Sequence, residues 1–454
     1  MSARNLLPLC LLAGCAAPNP QGAELGPALG VQASAIGADG GLALTAPTSG
    51  AVEEAAGADF TLAVAMDIAR LNSLQVLRAA DAQLAANADL RLAKSDAFYP
   101  ELSFGARTGR LSGIAQNTDG SFISDVDKQN ANLGVGLRLS LDPASATHGI
   151  DAAEEGARAA TWDWVSAGLA AETAAALLYY DLLEAQARVE IAAAALDSAN
   201  AFHALSEARF QAGATLESNV LRAFAHLAEV RQQHLESIAD LGITSTRLAE
   251  LLGLDPMRPL KPADPLEPRA LIADVAGVNL ASHPSMEAAQ ARLAAAKSRV
   301  KEQRAGRLLP ELLLDAGYND FGREFGELDS QESFTATLSW DLSPALFAMA
   351  DRAHAELMRA EHDAEAAHRR VSAELVRSQI AALSAADLVE MTSTRVDSAR
   401  SAVALERARH ESGDALLIEL LDAEVSLRRA ETANAAAICS HNRAQHLLRQ
   451  ALGG

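Results

Sequence analysis

Residues 133–141 alternate: Leu133, Val135, Leu137, Leu139 and Leu141 are separated by Gly134, Gly136, Arg138 and Ser140. Phe334, Ala336, Leu338, Trp340 and Leu342 alternate in the same way with Thr335, Thr337, Ser339 and Asp341. A period of two with one apolar and one polar side predicts strands that meet a different solvent on each face. Each is preceded by a second such segment, Leu102, Phe104 and Ala106 in one case and Leu312, Leu314, Ala316 and Tyr318 in the other, so four strands are expected. Elsewhere the apolar positions step by three and four. Leu182, Ala185, Val189, Ala192, Leu196 and Ala199 form such a seam, and Ala382, Ala385, Val389, Thr392, Val396 and Ala399 repeat it. This is a coiled-coil pattern, with alanine at alternate positions letting neighbouring helices approach closely.

The matching seams are part of a duplication. Ala208-Arg209-Phe210-Gln211-Ala212-Gly213 returns as Ala408-Arg409-His410-Glu411-Ser412-Gly413, and Leu252-Gly253 as Leu452-Gly453, each displaced by 200; Pro100-Glu101-Leu102 returns as Pro310-Glu311-Leu312, displaced by 210. The difference places about ten extra residues of the first copy in a loop, expected at 113–128 around Asn117-Thr118-Asp119-Gly120. Each copy reads as a helix (about Leu62–Phe98, about Val275–Leu308), two strands, a long helix opened by Pro143 or Pro344, a glycine turn, and a further helix ending at Leu-Gly. At 1.5 Å per residue the long helices reach about 100 Å and the shorter ones about 55 Å. Two short helices end to end therefore match one long one, which predicts an elongated helical wall with strands at one end and the turns at Gly213 and Gly413 at the other.

Composition narrows the function. Of 454 residues 49% are hydrophobic but only 4% aromatic, which suits alanine-rich helices better than a compact α/β enzyme. The 38 basic against 59 acidic residues give a net charge of −21 with no basic stripe, so no nucleic-acid partner is expected. The amino terminus is a targeting segment: a short apolar run after Arg4, too short to span a bilayer, ending in Leu12-Ala13-Gly14-Cys15. That ending resembles a bacterial lipobox. The resemblance implies removal of residues 1–14, a lipid on Cys15 and, with Ala16 following, delivery to the outer membrane; an ordinary secretory leader is the alternative. Residues 15–58, rich in Gly, Ala, Pro and Ser, read as a flexible tether, followed by repeat one at 59–262 and repeat two at 263–454. With Cys15 taken by lipid, Cys439 has no partner for a disulfide.

Four strands cannot close a membrane barrel, and an open sheet in lipid leaves backbone groups unpaired at several kcal/mol each. Sharing one barrel among protomers removes the difficulty. The order helix, strand, strand, long helix, glycine, helix, together with Pro-Glu-Leu entering a strand and Ala-Arg-x-x-x-Gly at the helical turn, resembles the outer-membrane efflux protein family of the TolC type, over residues 60–454. The resemblance implies an α + β membrane protein: a homotrimer with a 12-stranded barrel in outer-membrane lipid and a periplasmic helical tunnel. It would be the exit duct for an inner-membrane pump of RND or ABC type and a periplasmic adaptor. Two departures leave the subfamily open: Leu141-Asp142-Pro143-Ala144 and Leu342-Ser343-Pro344-Ala345 replace the family's Phe-Asp-Gly-Gly-like turn, and the early Asn-Pro is Asn72-Ser73 in one copy and His283-Pro284 in the other.

In this family acidic residues after the second turn narrow the periplasmic entrance. Glu419 and Asp422 fall six and nine residues after Gly413, three apart on one helix face, and three copies would gather six negative charges that favour cations. A solvated helix face is the plainer reading. Asn219 and Arg222 stand at the equivalent place in copy one. The turns Gly213-Ala214-Thr215 and Gly413-Asp414-Ala415 are left-handed helix caps and, by the resemblance, docking points for the adaptor. Catalytic and cofactor motifs are lacking: Gly134-Val135-Gly136 sits inside a strand, and His362 with His368, or Cys439 with His441 and His446, lack i,i+4 metal spacing and read as a solvated face. Tyr179-Tyr180, Trp162 and Trp164 read as residues that pack or sit between protomers and not as a cofactor site. The expectation is therefore a duct with no enzyme activity, metal or cofactor; a lipid-anchored coiled-coil scaffold without a pore is the alternative, and a scaffold has no use for a lipid-facing sheet.

Overall fold

The computed structural model describes residues 60–116, 119–272, 279–306, 308–323, 325, 328–340, 344–412 and 416–453. The chain divides into two units, 1–45 and 46–454, and every described residue lies in the second. The leader, Cys15 and the tether lie outside the described residues.

Helices α1 (Leu62–Asn72) and α2 (Leu74–Phe98) lead to strands β1 (Glu101–Gln116) and β2 (Phe122–Leu141), then to α3 (Ile150–Gln211) and α4 (Glu217–Leu252). The second repeat follows as α5 (Pro284–Ala305), β3 (Glu311–Gly322), β4 (Leu328–Ser339), α6 (Pro344–Ser412) and α7 (Leu417–Ala451). The expected first helix is broken at Ser73, whose ψ of 130° is extended, so α1 and α2 are separate. In copy two the helix begins at Pro284, later than expected, because the His283 side chain accepts the Ser285 N–H as N-cap and Pro284 occupies the first turn, where its missing N–H has no partner to lose.

Entry to α3 is built by Asp142, whose carboxylate accepts the Ala144 N–H at 2.9 Å and the Ser145 hydroxyl at 2.7 Å, while Pro143 presets the turn. A π-helical turn over Ser145–Gly149 follows, and Gly149 lies so close to α5 that a Cβ would stand 2.9 Å from Glu302.

The helices form four columns in the order α1/α2 with α4, then α3, then α5 with α7, then α6: α3 packs against α1, α2 and α4 on one side and α5 and α7 on the other, and α6 packs against α5 and α7. Within a column the short helices abut. Asn72 Nδ2 donates to Leu252 O at 2.7 Å where α4 meets α1, and in copy two Gly453, just past the end of α7, packs on His283 and Pro284 at the start of α5. At α3's 62 residues, about 93 Å, one long helix spans the pair beside it. Both coiled-coil seams are buried or half-buried along their length.

The largest core cluster lies mid-height, where α3 meets α1 and the end of α4: Phe60, Leu62, Ile68, Tyr179, Leu182, Leu248 and Leu252. The inter-repeat segment crosses here. Ala263 N donates to Phe60 O, and residues 267–272 are held by α7: Asn442 accepts from Arg269 N and donates to Glu267 O, Gln445 accepts from Ile272 N, and His441 contacts Arg269 O at 2.9 Å. His441, His446 and Cys439 are buried, which corrects the expectation of a solvated face; burial makes polar atoms need partners, and Arg269 of the linker supplies its carbonyl to His441 and its guanidinium to His446.

The four strands form one antiparallel sheet in chain order. The register places Leu102, Leu137, Ala316 and Phe334 in one row, and Phe104, Val135, Tyr318 and Glu332 in the next. Leu139 with Leu314, and Leu141 with Leu312 and Leu338, extend the same apolar face downward. The opposite face carries Ser103, Gly136, Gly317 and Ser333 in one row, with the Arg138–Asp315 ion pair at 2.7 Å beside it. The extra residues of copy one are not a loop. They lengthen both strands, which stay paired from Gly109↔Asn130 to Gln116↔Phe122 beyond Ala131↔Gly322, where β3 ends, with a bulge at Gly113 (φ 123°).

Candidate functional site

The end of the helical wall away from the sheet carries the two helix turns. At the first, Gly213 takes φ 72° and its N–H donates to Phe210 O, while Ala214 N donates to Arg209 O at 2.8 Å. These bonds satisfy the last carbonyls of α3, and glycine takes that left-handed φ without the local backbone strain a side chain brings. Thr215 follows, its hydroxyl accepting from Asn219 Nδ2 at 2.8 Å in the first turn of α4. Gly413, Asp414 and Ala415 of the second turn lie outside the described residues.

Leu416 follows the second turn with ψ 147°, and Leu216 the first with ψ 149°; both are highly exposed, at 67% and 72%. Two large apolar side chains at the same place in both turns, and uncovered, were not anticipated. Their shared displacement of 200 was the available signal.

Past Leu416, Leu417, Leu420 and Leu421 are buried against Phe202 of α3 and Ala223 of α4. That packing fixes the rotation of α7. Glu419 and Asp422 therefore emerge on its exposed side, three residues apart, as the spacing predicts. Glu419 also acts locally, since its carboxylate accepts the Leu416 N–H at 3.3 Å and so satisfies one of the free donors at the helix start. Asn219 is half-buried and Arg222 exposed, so the acidic pair has no counterpart in the first repeat.

Above the tip, Arg407 of α6 reaches Glu424 of α7 at 3.0 Å, and Arg209 of α3 lies 3.0 Å from His410 Nε2 of α6. Burial raises the Glu424 pKa, which Arg407 opposes, and burial lowers that of Arg428 one turn on. Further up, Arg443 of α7 pairs with Asp181 and Glu184 of α3, tying the two repeats together. Trp164 packs against the edge of the core cluster that also contains Tyr179 and Tyr180.

Among the described residues, no group of three or more His, Cys, Asp or Glu is placed to hold a metal ion, and no helix is long and apolar enough to cross a membrane. What the arrangement offers is mechanical and electrostatic: a sheet with an apolar face at one end, acidic side chains at the other, and a helical wall between.

A family model described as outer membrane efflux protein matches residues 65–254 and 276–454. The pyoverdine export outer membrane protein OpmQ of Pseudomonas putida is 27% identical, over 99% of this chain and 96% of its own. Among solved structures, the CmeC outer membrane channel of Campylobacter jejuni superposes with a TM-score of 0.78 at 17% identity, covering 96% of this chain and 94% of that one. The MtrE outer membrane channel of Neisseria gonorrhoeae, in its open state, gives 0.74 at 18%, covering 87% and 89%. A membrane protein of Pseudomonas aeruginosa gives 0.75 at 22%, covering 86% and 93%.

Proposed function

The chain belongs to the outer membrane efflux protein family and is an outer-membrane exit channel of the TolC type, and on that footing we propose that it works as a homotrimer, passively passing solutes handed to it by a periplasmic adaptor and an inner-membrane pump of RND or ABC type. One observation supports this most: the four-stranded sheet has an apolar face and, among the described residues, two unpaired edges, β1 and β4. In hydrocarbon those edges must be paired, and three copies laid edge to edge supply twelve strands and close the ring. The helical columns also call for neighbouring copies, since the outermost ones expose apolar side chains, Leu221, Leu235 and Ile238 of α4 and Ile380, Met391 and Leu405 of α6. A coiled-coil scaffold without a pore leaves both the apolar sheet face and these flanks without a partner.

The family is a transport family, and we assign the chain no enzymatic activity. In the trimer Glu419 and Asp422 narrow the periplasmic entrance, and the turns at Gly213, Ala214 and Thr215 and at Gly413, Asp414 and Ala415, with exposed Leu216 and Leu416, receive the adaptor's hairpin. Cys15 carries the lipid that tethers residues 15–58 to the outer membrane.

The test is the mass and single-channel conductance of protein extracted from outer-membrane fractions. A trimer with discrete, cation-selective steps is expected; a monomer without conductance overturns the duct. Lipidation is read separately, by palmitate labelling that Cys15→Ala abolishes.

A further inference from the structure

The four strands do not end together. β1 starts at Glu101, opposite Arg138, whereas β2 runs on below that row to Leu141, and β3 and β4 reach one row lower still, where Glu311 faces Ser339. At the other end β3 and β4 stop at Gly322 and Leu328, in the row of Thr108 and Ala131, while β1 and β2 continue to Gln116 and Phe122. The apolar face steps in the same sense. Above its apolar run the first other residue is Thr108 on β1, then Asp320 on β3 in the lower row of Ala106, then Glu332 on β4 in the still lower row of Phe104, Val135 and Tyr318.

A bilayer surface is level, so the residues at which the apolar face gives way share one height, and the rows rise from β1 to β4 by about four residues. Tilted strands produce such a climb, and it continues past β4. A residue of β4 therefore faces a residue of the neighbouring copy's β1 that lies higher than the one sharing its row in its own copy. Outward side chains must meet outward ones, so this step is even. A step of four or six at each of three seams tilts twelve strands by about 35° or 47°, against the roughly 35–45° of membrane barrels, whereas no step gives no tilt. The overhang fits this. Without a step, the 12 residues of β4 find partners only on Glu101–Thr108; stepped, all of them do, on Glu101–Ser112 or Ser103–Ile114 of the 16-residue β1.

We propose that β4 of one protomer pairs with β1 of the next, stepped by four or six residues toward the tip of the β1–β2 hairpin, and that Glu332 and Arg110 form an ion pair across this seam. This rests on the reading of the sheet as part of a shared outer-membrane barrel, and the partner is a second copy of this chain. Glu332 is a carboxylate in an otherwise apolar row at a strand edge, where a charge turned toward lipid needs a cation beside it. The step supplies one: Glu332 comes directly opposite Arg110 or one diagonal from it, within reach of a long side chain. Arg110 spends its Nε and one Nη on Asp127, at 2.8 Å each, and has a second Nη to offer. The extra residues that lengthen β1 in the first repeat are thus the surface that receives the neighbour's β4, and the seam pair fixes the register.

The experiment places cysteine pairs in the full chain and oxidises them in outer-membrane fractions. Phe334→Cys is combined with Ala106→Cys, with Thr108→Cys or with Leu102→Cys. Within one copy Leu102 and Phe334 share a row but stand three strands apart, about 14 Å, too far for a disulfide, so any link joins two copies. The Ala106 or the Thr108 pair should give a covalent trimer on a non-reducing gel, and the Leu102 pair none. A covalent trimer from the Leu102 pair, or from neither of the others in a preparation that still conducts, overturns the stepped seam and leaves the duct standing. Absence of trimer and conductance in the unaltered chain overturns the duct itself. The ion pair is read without cysteines: Glu332→Gln should lower the temperature at which the trimer dissociates in detergent, and by less in a chain already carrying Arg110→Gln. Equal lowering in both backgrounds overturns the pair.

Discussion

The Tyr179 hydroxyl lies 2.6 Å from the Asp264 carboxylate, and the same carboxylate oxygen accepts the Leu62 N–H at 2.7 Å. One residue of the inter-repeat segment thus locks the long helix of the first repeat to the start of α1. Burial, reinforced by Asp264, raises the tyrosine's pKa and keeps it a neutral donor. Tyr179→Phe leaves the carboxylate one partner short, and a hydrogen bond to a charged group contributes about 1.5–3 kcal/mol. The variant trimer should unfold at a lower temperature by circular dichroism with unchanged conductance; an unchanged midpoint assigns the lock no weight.

Acid should loosen the linker clasp. Burial, then Arg269 and Arg449, push the His446 pKa down to about 4, below its unfolded value near 6.5. The unfolded chain binds the proton first, so this residue's contribution to stability is complete above pH 6.5 and is lost as pH falls toward 4. His226 and His283 are lowered in the same sense, and the raised carboxylates Glu172, Asp181 and Glu424 act in the opposite one. The readout is therefore a difference: between pH 6.5 and 4 the melting temperature should fall less in His446→Gln than in the parent.

At the entrance, Glu419→Ala would remove both a charge and a helix-start partner, which costs about 1 kcal/mol. Glu419→Gln with Asp422→Asn removes only charge. In planar bilayers this pair should raise conductance and weaken cation selectivity as read from the reversal potential in a salt gradient. Unchanged selectivity takes both residues out of the entrance.

The joint between α4 and α1 is intolerant of a side chain at Gly253. Its φ of 66° is left-handed, and a Cβ would stand 2.6 Å from Asn72 Nδ2. Gly253→Ala should destabilise by about 1–2 kcal/mol from backbone strain alone. Asn72→Ala, which loses the bond to Leu252 O, should cost less than the two changes separately predict when combined with it, because the clash is then gone. Thermal unfolding of the three variants checks this cycle.

Most of the architecture was legible because it is written twice. Alternation at Leu133–Leu141 and Phe334–Trp340 found the strands and the displacement of 200 found both long helices. Ser73 does not read as a break, since serine fits a helix, whereas its counterpart in copy two carries Pro284, which starts one. The ten extra residues were misread as a loop because Gly, Asn and Asp mark turns, whereas here only the tip turns and the flanks pair. His441 and His446 were misjudged for a related reason: a polar side chain is buried when a distant backbone segment needs its hydrogen bonds, and Arg269 is 172 residues from His441. At the tip, the spacing of Glu419 and Asp422 showed which face they share, but it took the burial of Leu417, Leu420 and Leu421 to show which way that face turns.

The end-to-end joints have a mechanical consequence. Each meeting of α4 with α1, or of α7 with α5, lies beside an uninterrupted α3 or α6. Each joint is flanked by a helix that is unbroken at that level, so bending at mid-height must also bend a splint that has no seam there. The stiffness of the conduit is set by its unbroken helices, which carry load past every joint.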